Sequence, residues 1–134
     1  MQKESYPRIL SLLLWLFTVH SAMVGIALIL IPFQLLEFFG YFGYSGIFFK
    51  IQGGVFHVVM AVAYGLAAIN LERAHFVIVF IIAAKSMATL FLLTYYFWIE
   101  PIWTVFFSAL GDGAMAAVLY LIYNKYRKLI IHTY

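Results

Sequence analysis

The chain has 134 residues, of which 66% are hydrophobic and 10% are charged, and it contains no cysteine. Soluble domains carry about 25% charged residues, so this composition indicates a protein whose surface faces lipid. The length predicts a single transmembrane domain over residues 1–134, without a separate soluble domain. The lack of cysteine excludes disulfides, thiolate metal sites and a thiol nucleophile. The net charge of +3 lies largely at the chain ends, which is typical of a topology signal and not of a nucleic-acid-binding surface.

The first apolar stretch predicts a helix at about 9–31, ended by Pro32. A bilayer core about 30 Å thick requires roughly 20 helical residues, so this helix is long enough to span it. Residues 19–21 imitate a signal-peptidase cleavage site, but the apolar run resumes directly after them. We therefore expect the helix to be retained.

The segment at 33–46 is too short to span a bilayer and too apolar for a free loop. It mixes aromatic residues and glycines with one acid, Glu37. We expect it to lie in the outer membrane interface, partly as an amphipathic turn of helix. A cover packed on the helices and a contact surface for substrate or lipid are the two interpretations.

Three further apolar stretches predict helices at about 47–69, 75–97 and 102–123. Polar residues at 70–73 separate the second helix from the third, and a basic tail at 125–128 is expected to follow the fourth. No stretch alternates with a period of two over the length of a barrel strand. The predicted fold class is therefore all-α, an integral membrane four-helix bundle.

The positions of lysine and arginine predict the orientation of the bundle. Six of these residues lie at one end of the predicted helices, and only Lys50 lies at the other. The positive-inside rule therefore predicts cytoplasmic N- and C-termini (N-in, C-in) for a multi-pass protein of the bacterial inner membrane. The six residues are Lys3, Arg8, Arg73, Lys125, Arg127 and Lys128.

Each predicted helix carries one strongly polar residue near its middle. With a rise of about 1.5 Å per residue, all four residues are expected near the middle of the bilayer. Ionisable side chains at that depth are costly and usually functional or paired. They form a predicted intramembrane polar layer of His20, His57, Lys85 and Asp112.

Lys85 and Asp112 are expected to pair, because each charge would be very costly alone. An ion pair that fixes the packing of the last two helices is one interpretation. A proton relay or ion-coupling site is the second, because carboxylates and histidines inside membranes often carry protons. A Lys85 that reaches the membrane surface or another subunit is the third.

His20 and His57 suggest a cofactor hypothesis, because two imidazoles at equal depth on neighbouring helices can ligate the iron of haem b or another tetrapyrrole. Hydrogen bonding across helices is the alternative role. No ligand spacing indicates a metal site that includes Asp112, and none is predicted. Small residues would make room for a tetrapyrrole: Ser21, Gly25, Gly53, Gly54 and Ala61.

Short motifs in the second and fourth helices resemble the DoxX-like group of small bacterial four-helix membrane proteins. They are Lys50-Ile51-Gln52-Gly53-Gly54, Ala67-Ala68-Ile69-Asn70 and Gly111-Asp112. Some members of that group are similar to subunits of membrane redox assemblies. The resemblance implies a partner complex, and no site residue is carried over by motif.

The leading functional hypothesis is an accessory or structural transmembrane subunit of a larger membrane complex, with a redox complex as one option. Its partners would be membrane lipids and other integral membrane subunits, because almost nothing lies outside the predicted spans. The alternatives are a small proton-coupled carrier that uses the polar layer and a haem- or pigment-binding electron-transfer subunit. No nucleophile–base arrangement, phosphate loop or acid pair supports an enzyme.

Overall fold

A computed structural model describes the backbone of residues 5–131, and side chains to residue 129. Lys3, one of the basic residues counted above, lies outside the described residues. Within them the chain is all-helical and has no strand. Four of the five helices, all except α2, are long and apolar enough to cross a membrane, which supports a multi-pass membrane protein. The helices are α1 (Ser5–Leu30), α2 (Phe33–Phe38), α3 (Ile47–Ile69), α4 (His75–Trp98) and α5 (Trp103–Ile131).

The largest difference from the predicted bounds is at the end of α5. The basic residues that were expected in a tail after about residue 123 lie on the helix itself, which continues to Ile131. Tyr123 and Tyr126 are buried in the core, and Lys125 lies 5.9 Å from the ring centre of Tyr6. The buried face of α5 therefore continues beyond the apolar run, and this packing extends the helix.

Residues 33–46 contain the short helix α2 followed by turns. Gly40 and Gly43 have φ angles of +92° and +66°, a backbone region that other residues rarely adopt. The Thr104 hydroxyl donates a hydrogen bond to the Phe39 carbonyl oxygen at 2.6 Å. Leu36 is buried. The segment is thus fastened to the first turn of α5.

The long helices pack as two close antiparallel pairs, α1 with α3 and α4 with α5. The closest approach is at Gly25 and Gly54, where a Cβ atom on either glycine would lie 2.7 Å from the backbone oxygen of the other. Small residues allow such backbone contact between apolar helices. The two pairs meet mainly through α1 and α5, and less through α3 and α4.

One cluster of buried apolar side chains, which we call the core cluster, occupies one end of the bundle. We call this the lower end; it carries the start of α1, the turn at 70–74 and the last turns of α5. The upper end carries residues 31–46 and the α4–α5 connection. The core cluster comes from the lower half of every long helix and from the turn before α4: Leu10, Leu14, Phe17, Met60, Tyr64, Ala67, Ala68, Ala74, Ile78, Ile81, Leu119, Tyr123 and Tyr126.

Large apolar side chains also cover the outside of the long helices. Leu30, Phe76 and Trp98 are 74%, 82% and 78% exposed. Soluble monomers rarely expose contiguous apolar surface on this scale. The exposed surface therefore agrees with helices that are apolar enough for a bilayer.

Candidate functional site

Lys85 and Asp112 form an ion pair between the middle of α4 and the middle of α5, which confirms the predicted pairing. Their side chains are only 6% and 15% exposed. A pair of opposite charges removed from water requires good geometry and further polar contacts to offset desolvation. The pair is the centre of the polar cluster described below.

Thr89 and Gly113 lie beside this pair. The Thr89 hydroxyl donates a hydrogen bond to the Lys85 carbonyl oxygen at 2.9 Å. A Cβ atom on Gly113 would lie 3.2 Å from the methyl carbon of Thr89, whereas one on Gly111 would meet no atom within 4 Å. Gly113 therefore allows α5 to approach α4 next to the ion pair.

Tyr64 and Ser21 belong to the cluster, although the sequence did not single them out as site residues. Both are 0% exposed, and the ring centre of Tyr64 lies 6.0 Å from the Lys85 ammonium nitrogen. Ser21 is the polar neighbour of the Tyr64 hydroxyl, yet neither oxygen makes a hydrogen bond of good geometry. The sequence contains one signal for Tyr64 as a site residue, because this tyrosine lies among the small residues Ala61, Gly65 and Ala68 of α3.

His57 is half-buried on α3, and its Nδ1 atom is buried without a hydrogen-bond partner. It lies within electrostatic range of both Lys85 and Asp112. The structure thus brings three of the four predicted polar residues together and adds Ser21 and Tyr64 to them. We call these five residues, Ser21, His57, Tyr64, Lys85 and Asp112, the polar cluster.

His20 lies elsewhere. It is exposed on the outer face of α1, although it remains within electrostatic range of His57. Neighbouring residues on a helix point about 100° apart, so the buried position of Ser21 turns His20 toward the outside. The sequence predicted the depth of the four residues and not their orientation; in the structure three of them face inward and the imidazole of His20 faces outward.

The arrangement does not fit a tetrapyrrole between His20 and His57. Gly25 and Gly54, which were expected to make room for one, instead bring the backbones of α1 and α3 into contact. His20 points away from that interface. Among residues 5–131, no three His, Asp or Glu side chains are grouped so as to hold a metal ion.

Two contacts hold the ends of the helices around the cluster. At the lower end, His75 and Tyr123 are hydrogen-bonded and stack with ring centres 5.9 Å apart. At the upper end, the Lys50 ammonium donates to the Ile31 carbonyl oxygen at 2.5 Å and to that of Ile29 at 3.4 Å. These carbonyls end α1 and have no partner within that helix. Lys50 therefore ties the end of α1 to the start of α3.

Tyr41 lies at the upper end, outside the long helices. Burial raises the pKa of its phenol, and the Thr104 hydroxyl partly opposes this effect.

Comparisons of the chain with protein-family models, curated proteins and solved structures found no match. The assignment of roles to residues therefore depends on the geometry.

Proposed function

We propose that the chain is a multi-pass protein of a bacterial inner membrane with both termini in the cytoplasm. The exposed apolar helices support insertion, and the charge distribution supports the orientation. The lower end carries five basic residues: Arg8, Arg73, Lys125, Arg127 and Lys128. At the upper end, the Lys50 ammonium donates hydrogen bonds to backbone carbonyl groups. The resemblance to the DoxX-like group stays a prediction.

Within that membrane, we propose that the chain acts as a small proton-coupled carrier through the polar cluster. The observation that supports this most is the buried Lys85–Asp112 pair, with the unpartnered Nδ1 atom of His57 in electrostatic range. Carboxylates and histidines inside a bilayer commonly mark proton pathways. A purely structural ion pair would not need a free imidazole nitrogen beside it.

The pair also provides a way to couple proton binding to movement. A proton that binds Asp112 removes the negative charge of its carboxylate and so its attraction for the Lys85 ammonium. Because this contact joins α4 to α5, protonation weakens the contact between these helices at the middle of the bundle. Binding of a proton and separation of helices are then linked at a single atom pair.

The first test is protonation of Asp112 in lipid. Infrared difference spectra between high and low pH should show the carbonyl band of a protonated carboxyl in the wild type. The part of this band that comes from Asp112 should disappear in Asp112→Asn and persist in Glu72→Gln, which removes an exposed carboxylate in the turn before α4. A spectrum that is unchanged in Asp112→Asn would refute protonation of this residue.

The second test is proton movement in sealed proteoliposomes that contain a pH-sensitive dye. An imposed pH gradient should collapse faster with wild-type protein than with Asp112→Asn, and Glu72→Gln should behave as wild type. Equal rates for wild type, Asp112→Asn and empty liposomes would refute the proton-coupled role.

A second function, the accessory subunit, is favoured by the exposed position of His20. Its imidazole makes no hydrogen bond to any residue that the structure describes, and it lies in the middle of an apolar helix. In a bilayer such a group would be costly unless a polar group of another helix met it. This is the position where a partner subunit would be recognised.

Purification from native membranes in mild detergent tests this alternative. Stoichiometric partner subunits that are lost in His20→Leu, but retained in a Met23→Leu control on the same exposed side of α1, would support it. A solitary species in both variants would refute it. An absorbance spectrum of the same peak tests the haem hypothesis, because bound haem would give a Soret band.

A further inference from the structure

Three polar atoms in the cluster are buried and have no hydrogen-bond partner in the described chain: Ser21 Oγ, His57 Nδ1 and Tyr64 Oη. A buried polar group without a partner costs about 1–3 kcal/mol. In folded proteins such groups are usually satisfied by ordered water, which typically makes about three hydrogen bonds. Ser21 Oγ and Tyr64 Oη neighbour each other, and together with His57 Nδ1 they offer hydrogen-bonding capacity that bound water would satisfy.

The residues that carry these atoms lie near the charge pair. Ser21 neighbours Tyr64, whose ring lies 6.0 Å from the Lys85 nitrogen, and His57 is in electrostatic range of Lys85 and Asp112. Hydroxyl and imidazole groups can both donate and accept hydrogen bonds. Water or a small hydrogen-bonding solute at this point would therefore be joined to the ion pair.

The packing differs sharply above and below the cluster. Below it, the core cluster fills the space between all four long helices. Above it, Val105 and Ala109 of α5 are still buried. By contrast, α4 has no buried residue after Lys85, and Thr89 on the same face is only half-buried. The lower side is thus sealed by apolar packing from all four long helices, whereas the upper side is less closely packed along α4.

The less packed region lies between the two helix pairs and not within either pair. Backbone contact at Gly25 and Gly54 closes α1 against α3, and the Lys85–Asp112 ion pair joins α4 to α5. A route from the upper end is therefore expected between the α1–α3 pair and the α4–α5 pair, along the upper half of α4, where Thr89 is half-buried. The segment 33–46 begins at the end of α1 and is fastened to α5 through Thr104, so it lies across this end.

We propose that the polar cluster is a hydrated site that water and small hydrogen-bonding solutes reach from the upper end only. The role of this passage as a route for protons rests on the function proposed above, whereas the presence of water in the site does not. The segment 33–46 covers the passage, and the core cluster blocks it below.

The absence of cysteine from the chain permits a direct test with single cysteines. Ile81→Cys and Thr89→Cys lie one helical turn below and one turn above Lys85 on the same face. Met87→Cys lies at a position that is 70% exposed on the outside of α4. It is the control for a thiol that faces lipid. Each full-length variant is placed in liposomes and treated with a charged, membrane-impermeant thiol reagent.

We expect Thr89→Cys to react at least about tenfold faster than the other two variants, because the reagent needs a hydrated thiolate. Thr104→Val should increase that rate further, because it frees the cover segment from α5. Equal rates at positions 81 and 89, or a Thr89→Cys variant as slow as Met87→Cys, would overturn the proposal.

A measurement on the unaltered chain guards against misfolded variants. Hydroxyl-radical footprinting oxidises side chains that contact water. Tyr64 should be oxidised despite its full burial, whereas Leu119, which is equally buried in the lower core, should be protected. Protection of both would overturn the proposal. Oxidised Tyr64 with unchanged proton movement in Asp112→Asn would refute the proton function and leave the hydrated site standing.

Discussion

Removal of one member of the Lys85–Asp112 pair should destabilise the fold strongly, while removal of both should not. Lys85→Met leaves a carboxylate that is only 15% exposed without its cation. Breaking a buried pair in this way costs about 3–5 kcal/mol.

Asp112→Asn should have a similar cost, because it leaves the buried Lys85 ammonium without its anion. In the double variant both buried charges have changed to neutral groups of similar shape, so the unfolding free energy should return to within about 1 kcal/mol of wild type. The two single costs would sum to about 6–10 kcal/mol, so the coupling between the sites should be several kcal/mol.

The assay is reversible unfolding in mixed micelles with increasing denaturing detergent, followed by far-ultraviolet circular dichroism. Lys128→Met, at an exposed position on α5, is the control and should change stability by no more than about 0.5 kcal/mol. A double variant at least as unstable as the worse single variant would refute the reasoning, because removal of the second charge would then not relieve the cost of removing the first. Two charges that act independently would give a double variant whose cost is the sum of the two single costs.

Three further predictions concern close packing and the upper end. Gly54→Ala should lower the free energy of unfolding by about 1–3 kcal/mol, because its methyl group would lie 2.7 Å from a backbone oxygen of α1. The control Gly53→Ala would meet no atom within 4 Å. An equal loss of stability in both variants would contradict this prediction. Lys50→Met should lower the free energy of unfolding by about 1.5–3 kcal/mol in the same assay, because the ammonium donates hydrogen bonds to backbone carbonyls at the end of α1. A Lys50→Met variant as stable as wild type would contradict this prediction. Because burial raises the pKa of Tyr41 above the ordinary value of 10.0, the folded state favours the neutral phenol, so stability should fall as pH rises above that value. Tyr41→Phe should remove part of this fall, and identical pH series for the two proteins would contradict the assignment.

The long helices and the Lys85–Asp112 pair were predictable because both follow from the position of residues along the helix axis. Apolar runs of sufficient length predict helices in a chain of this composition. A lone charge at mid-helix is so costly that two opposite charges at equal depth are expected to pair. Neither prediction requires knowledge of which way each helix is turned.

The remaining features depend on rotation about the helix axis, and there the sequence provides little information. Soluble helices mark their buried face by an apolar stripe, but here the outer face is apolar as well. A shift of one residue turns a side chain by about 100°, which is the difference between buried Ser21 and exposed His20. The same shift places Gly54 and not Gly53 against α1.

The contact between Gly25 and Gly54 also determines which motions the molecule can make. A Cβ atom on either glycine would lie 2.7 Å from the backbone oxygen of the other, so a shift that brings a neighbouring side chain to this point would cause a collision. We therefore expect α1 and α3 to move together. The α4–α5 pair contacts this pair less extensively, and the turn at 70–74 is the short connection between them. A rearrangement that keeps both helix pairs intact is therefore a rocking of one pair on the other, about the short turn at the lower end.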